Sequence, residues 1–232
     1  MIYEELPVEL YEDIAFRILY EDNHVLVINK KVGEIVQGDK TGDEALSETL
    51  KRFIAQRDDK PGRVFMGVPH RLDRPVSGVA LFAKTSKSLE RMNEAFRNGS
   101  VHKIYWALTC AAPKPEEGEL KHYLVRNEKQ NKSYASLQQK PDSKEACLRY
   151  RLIKSFDRYY LVEVELLTGR HHQIRCQLSA IGCCIKGDLK YGAPRSNKDG
   201  GICLHARSIT FPHPTRKDEI TVVAPVSWPP FL

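Results

Sequence analysis

The 232 residues predict an α+β protein built on a mixed, mainly antiparallel sheet flanked by helices. Three observations carry this reading. Stretches of alternating apolar and polar residues recur along the chain and outnumber those with helical spacing. The strand-like stretches follow one another as hairpins more often than as strand–helix–strand units. No internal repeat is present, which sets solenoids and propellers aside.

Taken in order, FRILYEDNHVLVINK (16–30) reads as strand, short Asp-Asn turn and strand, with Val25 and Val27 alternating. Residues 43–57 place Leu46, Leu50, Phe53 and Ile54 at i, i+4, i+7 and i+8, an amphipathic helix. A second helix fits 87–98, with Ser86 as its N-cap, Leu89, Met92 and Phe96 inward, and Gly99 as its stop. Residues 102–110 alternate, with Ile104, Trp106 and Leu108 on one face and Lys103 and Tyr105 on the other. The segment 113–143 carries Pro113, Pro115, Gly118 and Pro141 among many charges and reads as a surface excursion holding one short strand. Residues 145–153 and 159–167 alternate again, with Val162, Val164 and Leu166 opposing Glu163 and Glu165. A third helix is expected over 171–181, ending at Gly182, and strands near 203–211 and 219–224 finish the chain. Composition shifts only in the excursion. Residues 16–232 therefore read as one domain after an acidic N-terminal extension, 1–15.

Hydrophobic residues make up 41% and charged residues 28%, and 14 glycines with 13 prolines are ordinary usage, so disordered and fibrous classes are excluded. No apolar run approaches the roughly 18 residues of a membrane span. The start, MIYEELPVELYED, lacks the basic-then-apolar layout of a signal peptide, so a soluble, cytoplasmic protein is expected. Lysine and arginine total 36 against 30 acids, a net of +6, which favours a polyanionic partner. The excess lies downstream, because the first 22 residues hold seven acids against Arg17 alone. Six cysteines form no CxxC pair, and reduced thiols are expected. A zinc site from His171, His172, Cys176, Cys183, Cys184, Cys203 and His205 lacks the short paired spacing of structural zinc sites, so no metal is expected.

Three motifs can carry chemistry. In HRLDRPVSG (70–78), Asp73 stands among His70, Arg71 and Arg74, and Pro75 stiffens the turn. Neighbouring cations favour its ionised form, which suits nucleophilic attack or proton abstraction more than proton donation. A structural Asp–Arg pair is the plainer alternative. In LTGRHHQIRCQL (167–178), Gly169 precedes a helix on which His171, Ile174, Arg175 and Leu178 share one stripe. Arg175 then points inward with the apolar residues and either meets a carboxylate or snorkels out. In KIYWA (103–107), Tyr105 beside lysine and arginine can stack a nucleobase, or simply sit half-buried against a helix.

HRLDRPVSG, then a KIYWAL strand, then LTGRHHQIRCQL, with GDLKYG (187–192) and LHARSITFPHP (204–214) following, resembles the RluA-type RNA pseudouridine synthases over about residues 16–225. The resemblance implies the pseudouridine synthase fold, with a central active-site cleft; only about 15 residues precede the first strand, so the S4-like domain of some members is not expected. It implies cofactor-free isomerisation of uridine to pseudouridine in structured RNA, rRNA or tRNA. A monomer is expected, because no heptad or exposed apolar helix is evident. It makes Asp73 the catalytic aspartate, Tyr105 the ring that stacks on uracil and assists proton removal, and Arg175 the partner of the catalytic carboxylate. Arg71 would fill the helix gap after the target base leaves, with His70, Arg74 and Arg170 as further substrate-binding residues. A stacked base must be flipped out to be reached. Glycoside hydrolysis pairs two carboxylates. One suffices here, because the released base is itself the returning nucleophile.

Two departures stand out. The family's Lys-Pro-x-Gly is Lys30-Lys31-Val32-Gly33 here, and a histidine usual a few residues later is missing, with Gln37-Gly38-Asp39 in its region. A non-catalytic RNA-binding relative would have lost Asp73, Tyr105 or Arg175, and all three are present. A metal-dependent nuclease would need clustered Asp, Glu or His ligands beside a basic motif. Only the zinc set already discounted offers any.

Overall fold

A computed structural model describes residues 3–38 and 42–228. The α+β expectation holds: among the described residues four α-helices accompany ten strands, and the pairings given below are antiparallel. The chain divides into two compact units, residues 1–101 with 208–225, and residues 102–207 with 226–232.

In the first unit, α1 (Val8–Arg17) leads into β1 (Ile18–Glu21) and β2 (Val25–Lys30). Residues 1–15 read as a mere extension because α1 has no broad apolar face: only Ile14 and Arg17 are buried, while Phe16 is 90% exposed. The helix is held instead by Arg17, which donates to Asp13, to both oxygens of Glu34 (3.0 and 2.8 Å) and to the Asn29 carbonyl. Asp22 closes the β1–β2 turn by accepting from the backbone N–H groups of His24 (2.7 Å) and Val25 (2.9 Å).

After β2 comes α2 (Leu46–Arg57), which starts three residues later than the periodicity suggests. It has no side-chain cap; the Ile35 and Val36 carbonyls receive the N–H groups of Leu46 and Ser47. β3 (Ser77–Ala83) escaped the sequence reading because all seven residues are buried, so it shows no alternation. It pairs with β2 from Val25↔Ala83 to Lys30↔Gly78. α3 (Ser86–Arg97) is capped by Thr85, whose hydroxyl accepts from the Ser88 N–H, rather than by Ser86. The unit's core joins Leu26 and Ile28 of β2, Leu81 of β3, and Leu50, Phe53 and Met92 of the helices.

In the second unit, β4 (His102–Thr109), β8 (Tyr160–Leu166), β7 (Lys144–Ser155), β5 (Glu117–Asn127) and β6 (Lys132–Ser136) lie side by side in that order. The excursion over 113–143 thus holds two strands, one of them eleven residues long, where one short strand was expected. Charge hides the pattern: on β5 only His122 and Leu124 are buried, while Glu119 and Lys121 pair across to Arg149 and Glu145. α4 (Gln173–Ala180) packs Cys176 against Leu124, Ala146 and Tyr191. It is shorter at both ends than the expected 171–181. β9 (Leu204–Pro212) runs from this unit into the first, where it pairs with β10 (Glu219–Val223) through Ile220↔Phe211. Among the described residues no helix is long and apolar enough to cross a membrane.

At the β9–β10 turn, buried His213 places Nε2 2.6 Å from the Asp22 carboxylate, while its Nδ1 accepts from the Arg216 N–H (2.9 Å). Burial alone would raise the Asp22 pKa, but the His24 and Val25 N–H groups, His213 and Tyr20 outweigh it and hold the group well below its ordinary 3.8. Because the folded value is depressed, the stabilisation is complete above pH 3.8 and is lost as pH falls further. Asp22→Asn is therefore expected to lose about 1–2 kcal/mol at pH 7. Urea titrations should show the gap to wild type closing as pH drops below the ordinary carboxylate range.

Candidate active site

The sequence motifs divide between the units. In the first, the loop 67–76 carries His70, Arg71, Asp73 and Arg74 into β3. Gly67 bridges Ala83 through two backbone hydrogen bonds (2.8 and 2.9 Å), and a Cβ there would meet Leu89 at 2.8 Å. His70 stacks on Phe96 with centroids 5.0 Å apart, and its Nε2 accepts from the Leu81 N–H at 2.9 Å. In the neutral ring the proton then sits on Nδ1. His70 in this way fixes the loop to β3. Leu72 and Val76 are buried, Asp73 is half-buried, and Arg71 and Arg74 are exposed. The Asp73 carbonyl accepts from the Val76 N–H at 3.0 Å, which closes the turn at Pro75.

Behind this turn lies Lys30, which sequence reasoning noted only as part of a departure. It is 1% exposed, and its Nζ donates to the carbonyls of Val76 (2.7 Å), Lys31 (2.9 Å) and Arg74 (3.2 Å). Burial pushes this ammonium down to about 8, against the upward pull of the Glu34 and Asp73 charges. Arg74 completes the junction: its Nε donates to the Gly33 carbonyl at 3.0 Å and its Nη2 pairs with Asp43. The departure over 37–39 is described only as far as Gly38, since Asp39 lies outside the described residues.

In the second unit Tyr105 sits on β4 opposite Val164 of β8 and is 8% exposed. Lys103, two residues earlier on the same face, brings its Nζ to 3.6 Å from where a Gly169 Cβ would stand, so the KIYWA strand and the LTGRHHQ loop are neighbours. Gln173 folds back on that loop: its Oε1 accepts from the Thr168 hydroxyl (2.8 Å) and the Arg170 N–H (2.9 Å). His172 enters α4 with φ +52°, a left-handed conformation unusual for a non-glycine residue. Arg170 is exposed and donates through Nε to the Glu145 carbonyl at 2.9 Å.

Arg175 does not snorkel. It is 5% exposed, and its Nε and Nη2 donate to the two oxygens of Asp188 at 2.7 and 2.8 Å, a buried bidentate pair. This pair leaves Nη1 outside it. Asp188 lies in GDLKYG after Gly187, which has φ +89° and where a Cβ would meet the Asn197 amide at 2.6 Å. A 3-10 turn, Leu189–Tyr191, follows and sets the Tyr191 ring 5.1 Å from the Arg175 guanidinium. The Tyr191 oxygen accepts from the Ser133 N–H (2.8 Å) and hydrogen-bonds Nδ1 of His172 (3.0 Å). Burial, then the charges of Arg175, His171 and Lys190, push His172 down to about 2, so its ring is neutral.

Cys110, Cys147, Cys176, Cys183, Cys184 and Cys203 are all free thiols. Among the described residues no group of three or more His, Cys, Asp and Glu side chains is placed to hold a metal.

A family model described as RNA pseudouridylate synthase matches residues 24–180. The chain belongs to that family. An uncharacterized RNA pseudouridine synthase of Chlorobaculum parvum is 31% identical over 237 residues, covering 93% of this chain and 72% of its own. Ribosomal large subunit pseudouridine synthase C of Buchnera aphidicola is 32% identical, covering 91% of this chain and 67% of its own. Among solved structures, human RNA pseudouridylate synthase domain containing 4 superposes with a TM-score of 0.79 at 25% identity, covering 96% of this chain and 92% of that one. Family and fold support uridine isomerisation in RNA by this pseudouridine synthase.

Removing the Arg175 guanidinium leaves Asp188, 1% exposed, as a buried charge without its bidentate partner. Arg175→Ala is therefore expected to cost roughly 3–5 kcal/mol in urea unfolding. The double variant with Asp188→Asn should recover part of that loss.

Proposed function

We propose that this pseudouridine synthase flips a target uridine out of structured RNA and isomerises it with Asp73 as the single catalytic carboxylate. The observation that carries this is the matched span 24–180, which holds Asp73, Tyr105 and Arg175 in the order of the motifs. Asp73 acts as an anion in either of two first steps, attack on C1′ or removal of the C2′ proton. In the first, an Asp73–C1′ ester forms as the N1–C1′ bond breaks and is itself broken when C5 bonds to C1′. In the second, the C2′ proton taken by Asp73 as the N1–C1′ bond breaks returns to C2′ as C5 bonds to C1′. Either way the uracil turns in place between the two steps, and C5 then loses its proton while N1 gains one. Nothing is oxidised and no water is consumed, so no cofactor or metal is required. Tyr105 stacks on the uracil and assists that proton loss, and Arg175 supports the catalytic carboxylate, as the resemblance implies. Arg71 fills the gap left by the flipped base, and His70, Arg74 and Arg170 line the substrate path. We place this reaction in the cytoplasm, in one domain and one copy of the chain.

The name of the Buchnera aphidicola relative favours large-subunit rRNA over tRNA as the substrate. Mapping pseudouridine across total RNA from cells with and without the gene tests this. A site lost from rRNA is the expected result, and a site lost from tRNA alone would move the substrate there.

Asp73→Asn keeps size and acceptor capacity but removes the charge both first steps need. It is expected to bind RNA within a few-fold of wild type, about 1 kcal/mol or less. Single-turnover conversion should fall below detection, scored by carbodiimide-dependent reverse-transcription stops. Near wild-type conversion would remove Asp73 as the catalytic residue. Tyr105→Phe keeps the ring, so it should retain RNA binding while slowing product formation, whereas Tyr105→Ala should weaken both. Equal loss of binding in the two variants would assign the grip on the base to the hydroxyl.

A further inference from the structure

The net charge of the chain is unevenly divided. Residues 102–207 with 226–232 hold 19 of the 36 lysines and arginines but only 11 of the 30 acids, a net of +8. The first unit, with 17 bases against 19 acids, stands at −2.

Within the second unit some cations are paired and many, Lys140, Lys144, Lys154 and Arg158 among them, enter no ion pair among the described residues. What distinguishes a cluster is therefore that its cations are brought together. On the sheet, Lys121, Arg149 and Arg151 are each matched by a carboxylate, Glu145, Glu119 with Glu165, and Glu163. At the β5–β6 hairpin, Arg126, Lys129, Lys132 and Lys190 enter no ion pair among the described residues, although Glu128 is adjacent in sequence. These four are gathered by structure. Arg126 lies opposite Ser133 and Lys132 opposite Asn127 in the hairpin register. Lys190 arrives from the GDLKYG turn, and its Nζ donates to the Asn131 carbonyl (2.9 Å) and the Gln130 carbonyl (3.4 Å). His171 braces the same turn, with Nε2 3.1 Å from Asn131 Oδ1 and Nδ1 2.9 Å from Ser133 Oγ. Tyr134, 47% exposed, has the Lys132 ammonium 5.3 Å from its ring centroid. The charged neighbours that depress His172 beneath the hairpin, Arg175, His171, Lys190 and Arg126, are all cationic or cation-forming.

An exposed cluster of cations left without carboxylates repels itself, and gains most from a line of anions. A phosphodiester chain supplies anions at regular spacing and releases counterions as it binds. An aromatic ring beside the cations is the usual accompaniment of single-stranded nucleic acid contacts. We propose that the β5–β6 hairpin, through Arg126, Lys129, Lys132 and Lys190, is a docking surface for the phosphate backbone of the substrate RNA. This rests on the chain acting on RNA, as proposed above, and locates where the sequence-independent part of the affinity arises.

The test compares two variants that each remove two positive charges from the second unit. Lys129→Gln/Lys132→Gln acts on the hairpin, and Arg149→Gln/Arg151→Gln acts on the matched sheet cations. Binding of a fluorescent RNA stem–loop with an all-uridine loop is followed against salt, and thermal melting checks folding. The hairpin variant is expected to bind about tenfold more weakly near physiological salt, with a log–log salt slope lower by about 2. The sheet variant is expected to keep wild-type affinity and slope. If the hairpin pair melts early, Lys129→Gln alone, at an exposed turn position, should lower the slope by about 1. Wild-type affinity and slope in the hairpin variant, or equal loss in both variants, overturns the docking surface. Conversion of total RNA by wild type is scored in parallel. An active wild type with an unaffected hairpin variant rejects the hairpin alone, whereas a wild type that neither converts RNA nor binds it in a salt-dependent way rejects the RNA reading itself.

Discussion

A buried ammonium has three hydrogens to place and no water to place them on. Lys30 meets that demand with the carbonyls of Lys31, Arg74 and Val76, and in doing so ties the end of β2 to the two sides of the turn that carries Asp73. Leaving the charge unsatisfied would cost several kcal/mol, far more than an ordinary hydrogen bond contributes. The backbone around Asp73 is therefore held by a desolvation penalty as much as by packing. His70 and Arg74 add to the same fixation from the loop itself, through the Leu81 N–H and the Gly33 carbonyl. A carboxylate that must meet one sugar atom benefits from a backbone with so few ways to move.

The second unit solves a similar problem with a guanidinium. Arg175 and Asp188 cancel each other in a nearly dry setting, and the turn of GDLKYG is organised around that pair. Tyr191 then links the pair to the loop: its ring faces Arg175, and its hydroxyl joins Ser133 of the hairpin to His172 at the start of α4. The left-handed turn at His172 is tolerated because its ring is held on one side by Tyr191 and stacked on the other by His171 at 3.8 Å.

The α+β class, most strands and the motif loops were legible because period and turn chemistry are local. What stayed hidden depends on distant partners. α1 lacks an apolar stripe and exists through the ion pairs of Arg17, whose partner Glu34 lies 17 residues on. β3 is buried on both faces, so no alternation marks it. β5 is the reverse case, a strand so charged on its outer face that it reads as loop. The inward placement of Arg175 followed from helical spacing, but Asp188 was one acid among many until the fold brought it there. Lys30 gave no signal at all, since a lysine ending an apolar strand ordinarily snorkels. The interior destination of its side chain is a tertiary fact.

β6 bears on a hazard unrelated to catalysis. It is a five-residue strand at the end of its sheet, hydrogen-bonded to β5 along one side and covered on the other at Ser133, whose N–H goes to Tyr191 and whose carbonyl accepts from the Cys176 thiol. A sheet edge invites self-association into extended sheets, and cover, short length and flanking lysines are common defences. Lys129, Lys132 and the nearby Lys190 stand where an incoming strand of a second copy would bring the same charges face to face. The hairpin's uncompensated charge thus also acts as a guard against aggregation, and mutating it to neutrality would trade colloidal stability along with anything else the hairpin does.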